Sequence, residues 1–175
     1  MAKSNTTKYY SNIQEAQVAE YLGLQVVTGS GSRCYNPGDI KSERYLCECK
    51  THTKIVNKLI FKKEIWNKIN SEAISKFKLP ILITDDGSQK LNNTWCLIPY
   101  TVIKFRSYIQ SIPYEESIDI LHNQGRPNYN IDIHKLQELY QRYDICRYYI
   151  SGIEFDDSDL VLMNIRCLYN ALYEE

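Results

Sequence analysis

The chain has 175 residues, a formal net charge of zero and a hydrophobic fraction of 43%. That length suits one compact domain, or a core of about 100 residues with an elaboration, and the ordinary apolar content excludes gross disorder. No apolar run approaches the roughly 20 residues of a membrane span, and the start MAKSNTTKYYSN holds no apolar signal core, so the expectation is a cytoplasmic protein with no membrane partner.

The zero net charge hides an asymmetry. Residues 1–80 carry 13 of the 21 Lys+Arg and 7 of the 21 Asp+Glu, and the rest of the chain carries 8 and 14. A basic first half suits a polyanionic ligand, and equally a solvated helix face. The richness in Tyr, Asn, Ile and Lys fits an AT-rich genome such as many phages have, and carries no mechanism. The six cysteines are Cys34, Cys47, Cys49, Cys96, Cys146 and Cys167, with no CxxC pair. Free thiols in a reducing compartment are expected rather than a zinc site or a disulfide framework.

In chain order, residues 11–22 predict a helix capped by Ser11 or Asn12 and ended by Gly23. Leu24 to Val27 predicts a short strand, Thr28 to Arg33 a glycine-serine turn, and Asp39-Ile40 a strand edge. Lys41 to Arg44 is a polar turn and Tyr45 to Thr51 a strand. Residues 51–59 read as a lysine- and threonine-rich loop. Residues 61–77 predict an amphipathic helix with Phe61, Ile65, Ile69, Ala73 and Phe77 on its apolar face, and Trp66 is assigned to packing. Strands follow at Leu79 to Thr84 and Thr94 to Ile98, with a turn at 85–88 and a helix at Tyr100 to Ile109. In the acidic last third, 113–130 read as loop, Ile131 to Tyr143 as a helix, and Ser158 to Tyr173 as another capped by Asp156 or Ser158. The pattern predicts an α/β fold in which a mixed sheet is flanked by helices. The expected division is a core at 1–106 and a mainly helical C-terminal elaboration at 107–175, packed on that core.

The chemistry gathers in Pro37-Gly38-Asp39 and Tyr45-Leu46-Cys47-Glu48-Cys49-Lys50. A short turn between two strands brings Asp39 close to Glu48. Strand alternation points Glu48 and Lys50 to one face and Cys47 and Cys49 to the other. Burying charges among apolar neighbours is costly without a reason, and two adjacent carboxylates repel unless a cation relieves them. Mg²⁺, for which Mn²⁺ can substitute, prefers hard oxygens: Asp39, Glu48 and a backbone carbonyl near Cys49 would suit it. Lys50 suits a phosphate oxygen or the orientation of a water. An isolated Glu-x-Lys is otherwise an ordinary strand-face pair. Lys54, Lys62, Lys63 and Arg33 flank the segment and are candidate phosphate contacts, whereas a solvated helix face accounts nearly as well for Lys68 and Lys76.

In order and spacing these residues resemble the PD-(D/E)XK nuclease superfamily, and within it archaeal-type Holliday junction resolvases. The similarity runs over roughly 11–106: a helix with Glu15, Val18, Leu22 and Gly23, the loop Ser30-Gly31-Ser32-Arg33, Asp39, then Glu48-Cys49-Lys50, a long helix, and the strand Trp95-Cys96-Leu97-Ile98 with Pro99-Tyr100 turning after it. The resemblance implies a restriction-endonuclease-like fold and Mg²⁺-dependent hydrolysis of DNA, with a four-way junction as substrate and a homodimer supplying two active sites. It implies that Glu15 assists the metal site, and that Ser30 or Ser32 contacts DNA near the scissile phosphate. Glu20 competes with Glu15, but lies about 140° round the helix from it. Gly38 departs from the proline usual before the aspartate. The segment 107–175 has no counterpart in the minimal resolvase, which leaves open a sequence-specific homing or restriction-type nuclease, or a DNA-binding module that does not cleave.

Overall fold

The computed structural model describes residues 6–28, 37–121 and 127–173. Helix α1 (Thr7–Leu22) begins earlier than its spacing suggests, because Thr6 caps it by accepting from the Tyr9 N–H at 3.3 Å. Gly23 ends it in the left-handed conformation, as expected. Strands β1 (Gln25–Val26), β2 (Ile40–Lys41) and β3 (Tyr45–Lys50) form an antiparallel series.

The expected loop at 51–59 contains the start of a strand, β4 (Lys58–Lys62). Leu59 and Phe61 are buried and Lys58, Ile60 and Lys62 exposed, which is a strand period. Its partner β8 (Asn128–Asp132) lies far along the chain, in a stretch whose composition suggests a loop. Helix α2 therefore starts only at Lys63 and runs to Ser75. It buries Trp66, Ile69 and Ala73, while Phe61 belongs to β4 and Phe77 is 98% exposed, so neither contributes to the helix face assigned to them.

Strands β5 (Leu79–Asp85) and β6 (Thr94–Pro99) stand where expected. The helix expected at 100–109 is a single 3-10 turn at Tyr100–Val102, because only Ile103 and Ile109 of that stretch are buried. In the last third the helix expected at 131–143 stands as Ile133–Tyr140 and the end of the last expected helix as Ile165–Tyr173, while the strands there depart from expectation. This third holds β7 (Gln110–Ser111), helix α3 (Tyr114–Leu121), β8, helix α4 (Ile133–Tyr140), β9 (Tyr148–Phe155), β10 (Ser158–Asn164) and helix α5 (Ile165–Tyr173). Asp156 does not cap a helix. It sits at φ 51° in the tight turn that joins β9 to β10.

Among the described residues one mixed sheet has the order β1-β2-β3-β5-β6-β10-β9-β7. The β3–β5 and β7–β9 pairs are parallel and the others antiparallel. Three strands from beyond residue 106 thus extend the same sheet, so this segment is not a mainly helical layer packed on a finished core. One face carries α1 and α5 over Cys47, Cys49, Ile81, Ile83, Cys96 and Met163. The other carries α2, α4 and the β4–β8 ribbon over Leu46, Leu82, Leu97 and Leu162. No described helix is long and apolar enough to cross a membrane. Cys47, Cys49, Cys96, Cys146 and Cys167 are free thiols, as expected, and Cys34 lies outside the described residues.

Candidate active site

The pairing of β2 with β3 stops at Ile40 and Cys47. At that point the chain needs a positive φ. Gly38 supplies it at 73°, and a Cβ there would lie 2.8 Å from Leu46 Cδ1 and 3.0 Å from the Cys47 carbonyl oxygen. Proline, fixed near φ −65°, cannot adopt this conformation, so glycine rather than proline suits the position before Asp39. Asp39 then donates its backbone N–H to the Cys47 carbonyl at 2.8 Å. Its side chain takes the place of the missing strand: Asp39 Oδ2 accepts from the Cys49 N–H at 2.8 Å. The edge of β3 beside Glu48, Cys49 and Lys50 is therefore satisfied by a carboxylate rather than by backbone.

Alternation along β3 behaves as read from the sequence. Cys47 and Cys49 enter the α1 layer, and Glu48 and Lys50 face the α2 layer. Glu48 is buried and Lys50 half-buried. The Lys50 ammonium lies 2.5 Å from Glu48 Oε1 and 3.2 Å from the Cys49 carbonyl oxygen. Burial pulls the Lys50 pKa down, but the Glu48 hydrogen bond and the surrounding carboxylates outweigh it and leave the ammonium held above its ordinary value. Lys68 of α2 stands 3.9 Å from Glu48 Oε1 and 3.9 Å from Glu72. It joins the site, where its spacing leaves a phosphate contact and a solvated helix face nearly equal.

Helix α1 contributes from the other layer. Glu15 is buried, and Glu20 is exposed. The Glu15 carboxyl is raised to about 7, first by burial, then by the negative charge of Asp39, opposed by Lys50 and reinforced by Glu48. Of the two helix acids, Glu15 is thus the one that shares a field with Asp39, Glu48 and Lys50. Its neighbour Gln14, which carries no signal in the sequence, is 2% exposed and donates from Nε2 to the Lys50 carbonyl at 3.0 Å. Gln14 Oε1 is buried without a hydrogen-bond partner.

Asp85 is a second residue that sequence reasoning misses, since it reads as part of a turn. It ends β5 one step beyond Thr84, the register partner of Lys50. Asp85 Oδ1 accepts from Thr51 Oγ1 at 2.6 Å and from the Gly87 N–H at 3.0 Å. Its Oδ2 is buried with no partner, and burial raises its pKa. A strand-terminal Asp-Asp-Gly carries no sequence signal of burial, so nothing local separates Asp85 from a solvated turn.

The flanking cations divide. Lys62 lies 3.9 Å from Glu64, and Lys63 pairs with Asp156. Lys54 is exposed on the loop that follows β3. Ser30, Ser32 and Arg33 lie outside the described residues.

The donor chemistry would suit a hard cation. Glu48 Oε1 and the Cys49 carbonyl already converge on one positive charge, the Lys50 ammonium, and Asp39 approaches the same stretch of β3. Among the described residues there is no group of three His, Cys, Asp or Glu side chains that could hold a metal. The available set is two carboxylates and a carbonyl, which suits a Mg²⁺ that keeps several waters. Comparisons with protein-family models, with curated proteins and with solved structures gave no match.

Proposed function

We propose that the chain is a Mg²⁺-dependent DNA endonuclease of restriction-endonuclease-like fold. The observation that carries the reading is the Glu48–Lys50 pair, held on one face of β3 where the Asp39 carboxylate replaces a strand partner. Asp39, Glu48 and the Cys49 carbonyl would hold the metal, which when bound polarises the scissile phosphate and acidifies a coordinated water. Lys50 would exchange Glu48 for a phosphate oxygen and so offset charge that develops in the transition state. Glu15, with its carboxyl raised to about 7, is suited to take or give a proton near neutrality. Hydrolysis adds water across one P–O bond and leaves a phosphomonoester and a hydroxyl. Lys54, Lys62 and Lys63 are the candidate phosphate contacts beside the site, the last two by exchanging their carboxylate partners for phosphate.

Within this class, the order of Glu15, Asp39, Glu48 and Lys50 favours a junction-resolving enzyme that acts as a homodimer. A sequence-specific nuclease is the second reading, supported by β7, β9 and β10, which widen the sheet beyond β6. The purified protein, given Mg²⁺, is expected to nick a synthetic four-way junction in preference to linear duplex of the same sequence. Cleavage of linear duplex at one sequence would favour the second reading. Cleavage that survives Asp39→Asn, or no cleavage of any DNA in Mg²⁺ or Mn²⁺, would overturn the assignment.

A further inference from the structure

Helices α1 and α2 end in the same hydrogen-bonded motif with different residues at its left-handed position. In α1 the Leu24 N–H reaches back to the Ala19 carbonyl at 2.8 Å, with Gly23 at φ 61° between. In α2 the Lys78 N–H reaches the Ala73 carbonyl at 2.9 Å and the Phe77 N–H the Ile74 carbonyl at 3.0 Å, with Phe77 at φ 56°. Glycine is the usual occupant because any Cβ there is strained. Phe77 bears that strain and also leaves its ring 98% exposed, so nothing within the described chain compensates for either cost.

The surroundings point to a ligand. Phe77 sits between Lys76 and Lys78, and the Leu79 N–H bonds the Arg44 carbonyl at 2.8 Å. Strand β6 runs antiparallel to β5, so its C-terminal end returns to the end where β5 begins. Beyond that end, after the turn at Tyr100–Val102, Phe105 is 85% exposed, with the Lys104 ammonium 4.7 Å from its ring centre. Arg44, Lys76 and Lys104 are exposed and make no ion pair with any described carboxylate. This contrasts with Lys50 and Lys68, which lie against Glu48 toward the other end of the sheet. The acids at this end are Glu43, Asp159 with its register partner Glu154, and Asp156 and Asp157 of the β9–β10 turn, where Asp156 is already paired with Lys63. Five residues of strand, about 17 Å, separate Tyr45 at this end from Lys50.

We propose that this end of the sheet is a second nucleic-acid surface, on which Phe77 and Phe105 stack against unpaired bases while Arg44, Lys76 and Lys104 engage phosphates. Exposed rings interleaved with cations that have no carboxylate partner, two of them resting on rings (Arg44 on Tyr45, Lys104 on Phe105), match a single strand, whose bases offer flat faces and whose backbone is a polyanion. A duplex hides those faces. The surface stands on its own observations and does not require that the carboxylate site cleave.

The test is fluorescence anisotropy in EDTA, with a labelled oligothymidine and a blunt duplex of equal length. The oligothymidine is expected to bind more tightly. Phe77→Gly and Phe105→Ala should each weaken it about tenfold, and Lys76→Glu with Lys104→Glu should weaken both ligands and flatten their salt dependence. Phe77→Gly should also raise the melting temperature by about 2–4 °C, since it removes strain, so lost binding cannot be ascribed to misfolding. Unchanged affinity in Phe77→Gly would overturn the proposal. So would self-association of the wild type that Phe77→Gly abolishes, because the ring would then seat a second copy. Asp39→Asn should bind oligothymidine normally. An inactive protein with Phe77-dependent binding would sink only the nuclease reading, and an active one indifferent to single strands would sink only this one.

Discussion

The Lys50 ammonium lies 2.5 Å from Glu48 Oε1, and the same nitrogen is 3.2 Å from the Cys49 carbonyl. The lysine thus occupies the two oxygens that a metal would use, and cation binding must displace it. Lys50→Ala is expected to lower the cleavage rate by about two to three orders of magnitude, as the loss of one preorganised charge at a developing anion does. It should leave Mn²⁺ affinity equal or higher, because the ammonium no longer competes. Electron paramagnetic resonance of Mn²⁺ binding beside single-turnover nicking separates the two effects. Lost metal affinity in Lys50→Ala would refute the competition.

Asp39 has two separable tasks. Its Oδ2 satisfies the Cys49 N–H at 2.8 Å, and its charge would serve the metal. Asp39→Asn retains an acceptor and is expected to fold with wild-type stability while losing cleavage. Asp39→Ala should lose cleavage and, in addition, about 1–2 kcal/mol of stability, since a backbone donor at a strand edge loses its charged partner. Urea denaturation of both variants checks the difference.

Glu15 makes the fold sensitive to pH. Its carboxyl is raised from 4.5 to about 7 by burial first and by Asp39 second. The folded protein therefore holds this proton more tightly than the unfolded chain does. The associated stability is fully present below pH 4.5 and is lost as pH rises through 7. Glu15→Gln should match the wild type near pH 5 and exceed it near pH 8, by on the order of 1 kcal/mol after allowance for solvent screening. Denaturant titrations at both pH values in EDTA test this, and equal stability of the two proteins at pH 8 would count against a raised Glu15.

What the sequence makes legible is local. Strand alternation alone separates Glu48 and Lys50 from Cys47 and Cys49, and a single turn brings Asp39 beside them. The position of Gly23 locates the end of α1. Strand β10 escapes because Leu160 to Met163 is buried on both sides in the middle of the sheet, and such a run has no period to distinguish it from a buried helix. Strand β4 escapes because its lysines resemble a loop and its partner β8 is remote in sequence. Spacing assigns Phe77 to the helix face, although α2 has already ended in a motif where glycine would be the ordinary signal. Lys68, Gln14 and Asp85 are brought to the site by tertiary packing alone.

The buried thiols supply a check on the packing beneath the site. Burial pushes Cys47 and Cys167 up to about 12, and Cys49 and Cys96 well above the ordinary thiol value. At about pH 8 these four should react with a thiol reagent only after denaturation, because the thiolate is the reactive form. Mass spectrometry of labelled peptides assigns each site. Rapid native labelling of Cys49 would show that β3 is open where the site requires it closed.

Gly38 fixes the approach of Asp39. Its φ of 73° is strained for any other residue, and a Cβ would press on Leu46 Cδ1 and on the Cys47 carbonyl. The methyl can be relieved at Leu46, a flexible side chain, but not at the carbonyl, which is backbone. Gly38→Ala is therefore expected to cost about 2–3 kcal/mol, from the left-handed conformation and the displaced contact together. It should also reduce cleavage more than the stability loss explains, because the displaced backbone carries Asp39. Nicking rates measured well below the melting temperature, where Gly38→Ala remains folded, test that second effect. A rate equal to wild type there would mean that the position of Asp39 does not limit the reaction.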